Sequence, residues 1–173
     1  KYLIVAGAED DALDTDTGVK ANMQYVIAVQ RPGVGDGVIE ADSTNALSEQ
    51  TPRHNVNLVN ATLIQQATSG GHAIRIRGGA DYTIANSVVV SPVPCLRFDD
   101  ALTISGPNAA LDKLGPPRFE SVAMTCSTPF RSGGGGVTEA NVASAFNAGS
   151  NNNANFTSTL TNLFINGTNE NAV

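Results

Sequence analysis

The sequence of 173 residues contains no tryptophan, and aromatic residues make up only 5% of it. Gly, Ala, Asn, Ser and Thr are frequent instead, while Val and Ile recur in short runs. This balance favours many short strands and turns over thick helices. Because 41% of the residues are hydrophobic, the chain has enough apolar side chains for a core, and its length suits one domain.

Basic residues are also scarce: ten Lys and Arg stand against sixteen Asp and Glu, which gives a formal net charge of -6. This sign is wrong for a surface that binds nucleic acid, so nucleic acid is not expected as a partner. No apolar run reaches the roughly 18 to 20 residues that a membrane-spanning helix needs, so no transmembrane segment is expected. The chain starts inside a strand-like stretch, KYLIVAG, without an initiating Met, which predicts a processed or partial protein.

A strand-like segment recurs along the chain with irregular spacing, and a shorter strand follows each copy. The copies are KYLIVAG (truncated), VKANMQYVIAVQ, NVNLVNATLIQQ, ADYTIANSVVVS and PRFESVAMTCS. The second strands are ALDTDTG, VIEADST, AIRIRGG, CLRFDDA and PFRSGGG. Each repeat therefore consists of strand, turn, strand and turn, with no helix between its strands.

Short strands repeated without helical crossovers predict an all-β fold, a parallel β-helix or solenoid, over residues 1–136. Each repeat then buries its inward side chains against the next. Residues 45–54 and 102–116 fall between repeats and are predicted to form loops that project from one edge. A β-sandwich is the alternative fold, because its strands have similar lengths and turn spacing.

Residues 137–173 depart from the repeat but are assigned to the same domain. The stretch VTEANVASAFNAG predicts one short helix, with Thr138 as its N-cap and Gly149 as its stop. The Asn-rich tail that follows has one apolar cluster, made of Leu160, Leu163, Phe164 and Ile165. Because the last repeat of a solenoid leaves an open strand edge, this tail is predicted to cap that edge.

The repeat pattern, with Asn60 and Asn86 at equivalent positions beside a turn, resembles the right-handed parallel β-helix proteins of the pectate-lyase-like superfamily. The runs GAEDDALDTDTG, DGVIEADS and RIRGGADYTIANSVVVS are similar to a group of uncharacterised secreted or surface β-helix proteins from Gram-negative bacteria. The resemblance covers nearly the whole chain. It implies a right-handed parallel β-helix, but that group has no established activity to transfer.

Alignment of the second strands places charged residues in two outward columns. In a strand, residues i and i+2 share a face, and equivalent positions in neighbouring strands are about 4.8 Å apart. The inward column contains Leu13, Ile39, Ile74, Leu96 and Phe130. The first outward column contains Asp14, Glu40, Arg75, Arg97 and Arg131, and the second contains Asp16, Asp42, Arg77 and Asp99.

These columns predict a ladder of ion pairs. Glu40 lies beside Arg75, and Asp42 lies beside Arg77, whose other neighbour is Asp99. Each pair of opposite charges across two strands contributes about 0.2 to 1 kcal/mol and helps to fix the register. The residues predicted to form this ladder or, alternatively, a binding surface are Arg75, Arg77, Arg97 and Asp99.

Like charges meet at the other end of the columns, where Asp14 faces Glu40 and Asp16 faces Asp42. This arrangement is destabilising unless solvent, other pairing residues or a cation offsets it. A Ca²⁺ ion held by several carboxylates at about 2.3 to 2.6 Å would do so. The resemblance implies such a site, because polysaccharide lyases of the superfamily place acidic calcium ligands and an arginine on an outward sheet. The predicted metal ligands are Asp14, Asp16, Glu40 and Asp42.

Cys95 and Cys126 are the only cysteines, and their spacing does not fit a zinc site. They lie on adjacent repeats near the same corner, where Cα atoms within about 7 Å would allow a bridge. Together with the extracytoplasmic location that the resemblance implies, this predicts a disulfide, and two buried thiols are the alternative. His54 and His72 lack the spacing of metal ligands and are predicted to be loop or turn residues.

The expected function is that of a secreted or cell-surface β-solenoid that serves as a structural or binding module for a protein or glycan partner. The alternative is a calcium-assisted polysaccharide lyase or another carbohydrate-active enzyme. No lyase signature is complete, so a non-enzymatic role is favoured. The resemblance implies secretion, the periplasm or the outer surface of a Gram-negative bacterium, and the strand edge at KYLIVAG is expected to associate with another chain.

Overall fold

The computed structural model describes residues 2–44, 47, 49–161, 163 and 165–166. This part of the chain is built mainly of short strands, together with the α-helix α1 (Glu139–Asn147) and a 3₁₀ helix (Ala109–Leu111). The strands are β1 Leu3–Ala6, β2 Leu13–Thr15, β3 Lys20–Val29, β4 Ile39–Asp42, β5 Asn55–Ile64, β6 Ile74–Arg77, β7 Asp81–Val90, β8 Leu96–Phe98, β9 Arg118–Thr125, β10 Phe130–Ser132, β11 Leu160–Thr161 and β12 Ile165–Asn166.

The described strands form two five-stranded parallel sheets and a two-stranded antiparallel pair, β11 with β12. The first sheet has the order β1-β3-β5-β7-β9 and contains the long strands. The second sheet has the order β10-β8-β6-β4-β2 and contains the short ones. Each strand therefore pairs with the equivalent strand of the next repeat. This all-parallel pairing is compatible with a parallel β-helix, whereas a sandwich would pair its strands in antiparallel fashion.

The core lies between the two sheets and consists of columns of apolar side chains. On the second sheet, Leu13, Ile39, Ile74, Leu96 and Phe130 are register partners along the sheet. The first four are buried and Phe130 is partly buried, so this predicted inward column is present. Each aliphatic side chain buried in this way contributes about 1.5 to 3 kcal/mol.

Each of the four longer strands of the first sheet bends at one residue near its middle. Tyr25, Asn60, Asn86 and Ser121 occupy these positions and all have positive φ angles, from 46° to 60°. Asn tolerates this left-handed conformation better than most residues, for which it costs roughly 1 to 2 kcal/mol. Asn86 Nδ2 donates a hydrogen bond to Asn60 Oδ1 at 2.6 Å, so the two amides stack from one repeat to the next.

The C-terminal end of the sheets is covered by α1 and the segment after it. Thr138 and Asn141 form a capping box at the start of α1, as the predicted N-cap requires. Phe146 of α1 is buried, and its ring lies 5.6 Å from those of Phe119 and Phe130. The segment 150–156 then runs along the edge of β9, and backbone N–H and C=O groups of the two form hydrogen bonds. Of the predicted apolar tail cluster, Phe164 lies outside the described residues.

The two predicted loops do not simply project into solvent. Arg53 and His54, at the end of the first loop, are fully buried, and the His54 ring stacks on Tyr82 at 5.6 Å. Lys113 of the second loop is buried, and its Nζ donates to the carbonyl oxygen of Gly115 at 2.7 Å and lies 3.4 Å from Asp81 Oδ1. The prediction of projecting loops was wrong at these positions, because both loops return to the sheet before the next strand begins.

Candidate functional site

The outward face of the second sheet carries the densest group of charged side chains in the described structure. Register pairing places Asp14 beside Glu40, Glu40 beside Arg75, Arg75 beside Arg97, and Arg97 beside Arg131. The side chains of this column alternate along the strands with the buried inward column, so they point outward. We call this row of five residues the charged column.

Arg75 is at the centre of the charged column and contacts two carboxylates. Its Nη1 donates to Glu40 Oε1 at 2.9 Å, and its Nε donates to Asp99 Oδ2 at 2.9 Å. The three side chains are only 13% to 22% exposed, so water screens these contacts less than it screens pairs on an open surface. Arg75 on β6 is therefore joined by charge-assisted hydrogen bonds to β4 and to the residue that follows β8.

Asp99 is shared by two arginines. Arg97 Nε donates to Asp99 Oδ1 at 2.7 Å, while Arg75 binds the other carboxylate oxygen. Burial by itself would raise the pKa of Asp99, but the hydrogen bonds from Arg97 and Arg75 outweigh burial and hold the pKa below its usual value. The Asp99 carboxylate therefore stays ionised and paired with Arg75 and Arg97.

Arg77 pairs with Asp42 and not with Asp99. Its Nε lies 3.1 Å from Asp42 Oδ2, and its Nη2 lies 3.5 Å from Glu40 Oε1. Asp99 follows the last residue of β8 and precedes Asp100, which has a positive φ angle of 58°. The chain has thus left the strand at this point, and the Asp99 side chain turns towards Arg75 and Arg97.

Arg131 ends the charged column and differs from the other arginines. Its Nη1 donates to the carbonyl oxygen of Gly71 at 2.7 Å. Among the residues that the structure describes, no carboxylate lies within ion-pair distance of this guanidinium group. Its positive charge is therefore less neutralised than that of Arg75 or Arg97.

Of the four predicted metal ligands, Asp14 and Glu40 are register partners, Asp16 lies just beyond the end of β2, and the four differ in environment. Asp14 and Asp16 are exposed, whereas Glu40 is partly buried and Asp42 is buried. Burial and the nearby charges of Asp16 and Glu40 raise the pKa of Asp14. Within the described ranges, no group of three or more His, Cys, Asp or Glu side chains is arranged to hold a metal ion. Calcium binding stays a prediction.

Asp11 lies at the corner before this sheet, two residues before β2, and was not singled out from the sequence. Its Oδ1 accepts a hydrogen bond of 2.6 Å from the backbone N–H of Gly37. Burial, followed by the charge of Glu40, raises the pKa of Asp11 from 3.8 to about 7, although the Gly37 bond acts in the opposite direction. Asp11 is thus a carboxyl group that changes protonation near neutral pH.

His72 lies at the same corner two repeats further along, with Gly37 in the repeat between them. Its Nδ1 lies 2.7 Å from the Gly70 carbonyl oxygen, so Nδ1 carries the proton and Nε2 has the free lone pair. Burial lowers the pKa of His72, and the positive charges of Arg97 and Arg75 lower it further. A Cβ atom built on Gly37 would lie 2.8 Å from Asp11 Oδ1 and 3.2 Å from His72 Nε2. Both side chains therefore pack against the Gly37 backbone, and any side chain at this position would crowd them.

The position of these two residues in the repeat is the signal that could have revealed them. Asp11, Gly37 and His72 each stand two residues before an inward residue of the second sheet. They therefore stack at one corner, where only a residue without a side chain fits between the other two. The irregular spacing of the repeats hides this relation until the strand register is known.

Cys95 and Cys126 form the predicted disulfide, with Cα atoms 5.7 Å apart. The bond connects the residue before β8 with the residue after β9, so it joins two neighbouring repeats at a corner. Cys95 stands two residues before Arg97 of the charged column, and the bond cross-links repeats in the C-terminal half of the sheets.

A family model described as pectate-lyase like β-helix domain matches residues 1–160. This chain belongs to that family. The match spans both parallel sheets and α1, so the β-helix resemblance read from the sequence is confirmed at the level of the family. No curated protein and no solved structure matches this β-helix domain. In the described part of the chain, no helix has the length and apolar character needed to cross a membrane.

Proposed function

We propose that the chain is a structural or binding module of a secreted or cell-surface protein, built as a right-handed β-solenoid. The observation that carries this proposal is the pairing of the three central arginines. Arg75, Arg77 and Arg97 each contact a carboxylate within 3.1 Å, so their charges stabilise the sheet. A catalytic arginine would need to leave such a pair to reach a substrate, which costs free energy.

The disulfide supports a location outside the cytoplasm, because disulfides persist in oxidising compartments. The resemblance to β-helix proteins of Gram-negative bacteria extends this proposal to secretion, the periplasm or the outer surface. The partner would be a protein or a glycan that lies along one of the outward faces. Among the described strands β1 is the edge of the first sheet, and it is a further place where another chain would add a strand.

The test combines an activity assay with a melting curve. The protein is incubated with acidic polysaccharides, with calcium or with a chelator, and the ultraviolet absorbance of the unsaturated product of β-elimination is followed. We expect no product and the same Tm with and without calcium. Product formation would contradict a purely structural or binding role, and a Tm that rises with calcium would support the predicted metal site.

A carbohydrate-active enzyme is the second candidate, and the corner formed by Asp11 and His72 is the observation that favours it. With a pKa of about 7, Asp11 is partly protonated at neutral pH and can donate a proton. The Nε2 lone pair of neutral His72 can accept one. Hydrolysis or elimination of a glycosidic bond requires a general acid and a general base. His72 is only 3% exposed, so a substrate would reach its Nε2 only if this corner opened.

Calcium assistance fits this second candidate less well. Glu40 and Asp42 are already bound by Arg75 and Arg77, so two of the four predicted ligands would have to exchange partners. The residues that carry this candidate are Asp11 and His72. The less neutralised Arg131 is close to them because it contacts Gly71, the residue before His72.

Three variants test the enzyme candidate on a panel of neutral and acidic polysaccharides, with released reducing ends or unsaturated products as the readout. If the candidate holds, Asp11→Asn and His72→Gln each lower kcat by about 100-fold or more, since each removes one proton transfer. Asp10→Asn, the neighbouring acid, serves as the matched control and keeps the activity. Absence of any product from the wild-type protein would exclude this candidate.

A further inference from the structure

The column of bent positions in the first sheet ends in an aromatic residue on its N-terminal side. Asn60 and Asn86 have the left-handed conformation that Asn tolerates, and Tyr25 adopts the same conformation with a φ angle of 60°. A bulky side chain is uncommon there, and Tyr cannot extend the row of stacked amides. The fold alone would favour Asn at this position, so the ring needs another explanation.

The Tyr25 ring lies at the surface and forms part of a larger aromatic wall. Tyr25 is 46% exposed and stacks on Tyr2, with ring centroids 5.0 Å apart and an angle of 16° between the planes. Both rings line a cavity of about 280 Å³ on the outside of the sheet. Ile4 and Ile27, which are register partners, also line it. The cavity thus offers aromatic and aliphatic surface to the same ligand.

Two polar residues lie at the side of the cavity that faces the next repeat. Asn60 Oδ1 accepts a hydrogen bond from Asn86 Nδ2 at 2.6 Å, whereas Asn60 Nδ2 donates to none of the described residues. Thr62 adds a hydroxyl group to the lining. None of the residues that line the cavity is charged, although the chain has a net charge of -6.

We propose that this cavity binds a neutral sugar ring of a glycan, at a site separate from the charged column. The faces of a pyranose ring present C–H groups that pack against an aromatic ring. The hydroxyl groups of the sugar reach polar partners at the rim of the cavity. Asn60 Nδ2 and the Thr62 hydroxyl supply those partners. The inference rests on the proposed binding function and names the class of ligand.

Other ligands fit these groups less well. A sulfate, phosphate or uronate group would find no cation in the lining to replace its water. An aliphatic lipid chain would cover the Asn60 amide and the Thr62 hydroxyl without giving them a hydrogen bond, which is unfavourable. A neutral sugar ring satisfies both the apolar walls and the polar rim.

The decisive variant is Tyr25→Asn. It removes the ring but introduces the residue that occupies the equivalent position in the next two repeats, so we expect an unchanged or higher Tm. Tyr25→Phe keeps the ring and removes only the hydroxyl group. Leu114→Ala removes an exposed apolar side chain from another part of the surface and is the matched control.

Binding is measured by saturation-transfer NMR and calorimetry with soluble oligosaccharides of neutral glucan, mannan, galactan and xylan. We expect the wild-type protein, Tyr25→Phe and Leu114→Ala to bind at least one of them. We expect Tyr25→Asn to lose affinity by about 10-fold or more, as for an aromatic residue at the centre of a binding site.

The site is overturned if the wild-type protein binds none of these oligosaccharides, or if Tyr25→Asn binds them with wild-type affinity. An acidic polysaccharide is included as a separate probe. Its binding with equal affinity to wild type and Tyr25→Asn, without binding of neutral sugars, would overturn this site but leave the proposed binding module standing. The assignment to a sugar would also be overturned if an apolar peptide bound at Tyr25 and none of the oligosaccharides did.

Discussion

The two ends of the sheets are completed in different ways. At the C-terminal end, the segment 150–156 bonds to the edge of β9, with Met124 N–H donating to Asn153 O at 2.8 Å, and α1 places the buried Phe146 over the core. At the N-terminal end, β1 pairs within the described structure only with β3. Tyr2 and Ile4 remain 81% and 73% exposed there. One end is therefore closed by backbone and apolar contacts, whereas β1 at the other end has a described partner on one side only.

The same contrast holds for the charges. Towards the C-terminal end, Asp99 is held between Arg75 and Arg97, and its pKa is lowered by them. Towards the N-terminal end, Asp11 and Asp14 lie among other acids, and burial together with those charges raises the pKa of each. Towards the C-terminal end a carboxylate is thus neutralised by arginines, whereas the acids towards the N-terminal end lie among like charges.

The largest effect that would test this contrast comes from Phe146→Ala. The variant leaves a cavity against Phe119 and Phe130, so the free energy of unfolding should fall by about 3 to 5 kcal/mol in urea denaturation. The matched change at the open end, Tyr2→Ala, should alter it by less than about 0.5 kcal/mol. Equal losses in both variants would show that the two ends contribute alike.

Removal of the disulfide should have the next largest effect. Cys95 and Cys126 are separated by 31 positions, and a cross-link of this length lowers the entropy of the unfolded chain. The double variant Cys95→Ser, Cys126→Ser should therefore lose about 3 to 4 kcal/mol of unfolding free energy. Chemical denaturation with and without a reductant measures the same quantity in the wild-type protein. A loss below about 1 kcal/mol would mean that the bond contributes little to the closed half.

Arg75→Met tests the ladder in the middle of the molecule. It leaves the Glu40 and Asp99 carboxylates partly buried without this partner, so we expect a loss of about 1 to 2 kcal/mol, smaller than for a fully buried pair. Arg131→Met, which breaks only a contact with the Gly71 carbonyl oxygen, is the control and should change stability by less than about 0.5 kcal/mol. If the two substitutions had equal effects in urea denaturation, Arg75 would not be central to the ladder.

The smallest effect concerns the pH dependence of the open end. The pKa of Asp11 is raised from 3.8 to about 7, so the folded protein keeps a proton that the unfolded chain releases between these values. The contribution of Asp11 to stability is therefore largest below about pH 4 and is lost as the pH rises to about 7. Because the group is only half buried, we expect a loss on the order of 1 kcal/mol.

This pH dependence is measured as the free energy of unfolding from pH 4 to pH 8. Asp11→Asn should remove the decline, while its amide oxygen can still accept the Gly37 hydrogen bond. Asp10→Asn should retain it. A decline of the same size in Asp11→Asn and in the wild-type protein would assign the titration to another group.

Much of the fold could be predicted because period-two alternation determines which face of a strand each side chain occupies. The inward column from Leu13 to Phe130 has the expected register, and the disulfide joins the expected corners. The pairing of Asn60 with Asn86 also follows from their equivalent positions. These relations depend on the backbone spacing of the repeat, which the apolar pattern makes visible.

The candidate sites were less accessible to sequence reasoning because they depend on how loops and side chains turn at the corners. The loop before β5 brings Arg53 and His54 into the core, which no local pattern indicates. Asp11 and His72 meet across Gly37 only because three repeats of unequal length are in register there. The Tyr25 cavity requires the bend in β3 to lie beside β1.

The sequence by itself determined the repeat, the inward and outward faces and the order of charges along the second sheet, because strand geometry allows only two side-chain directions. The tertiary structure alone decided that Asp99 joins Arg75 and Arg97 while Arg77 joins Asp42. The partner of a charged side chain depends on where its strand ends and on its side-chain torsions, and neither is encoded in the period of the repeat.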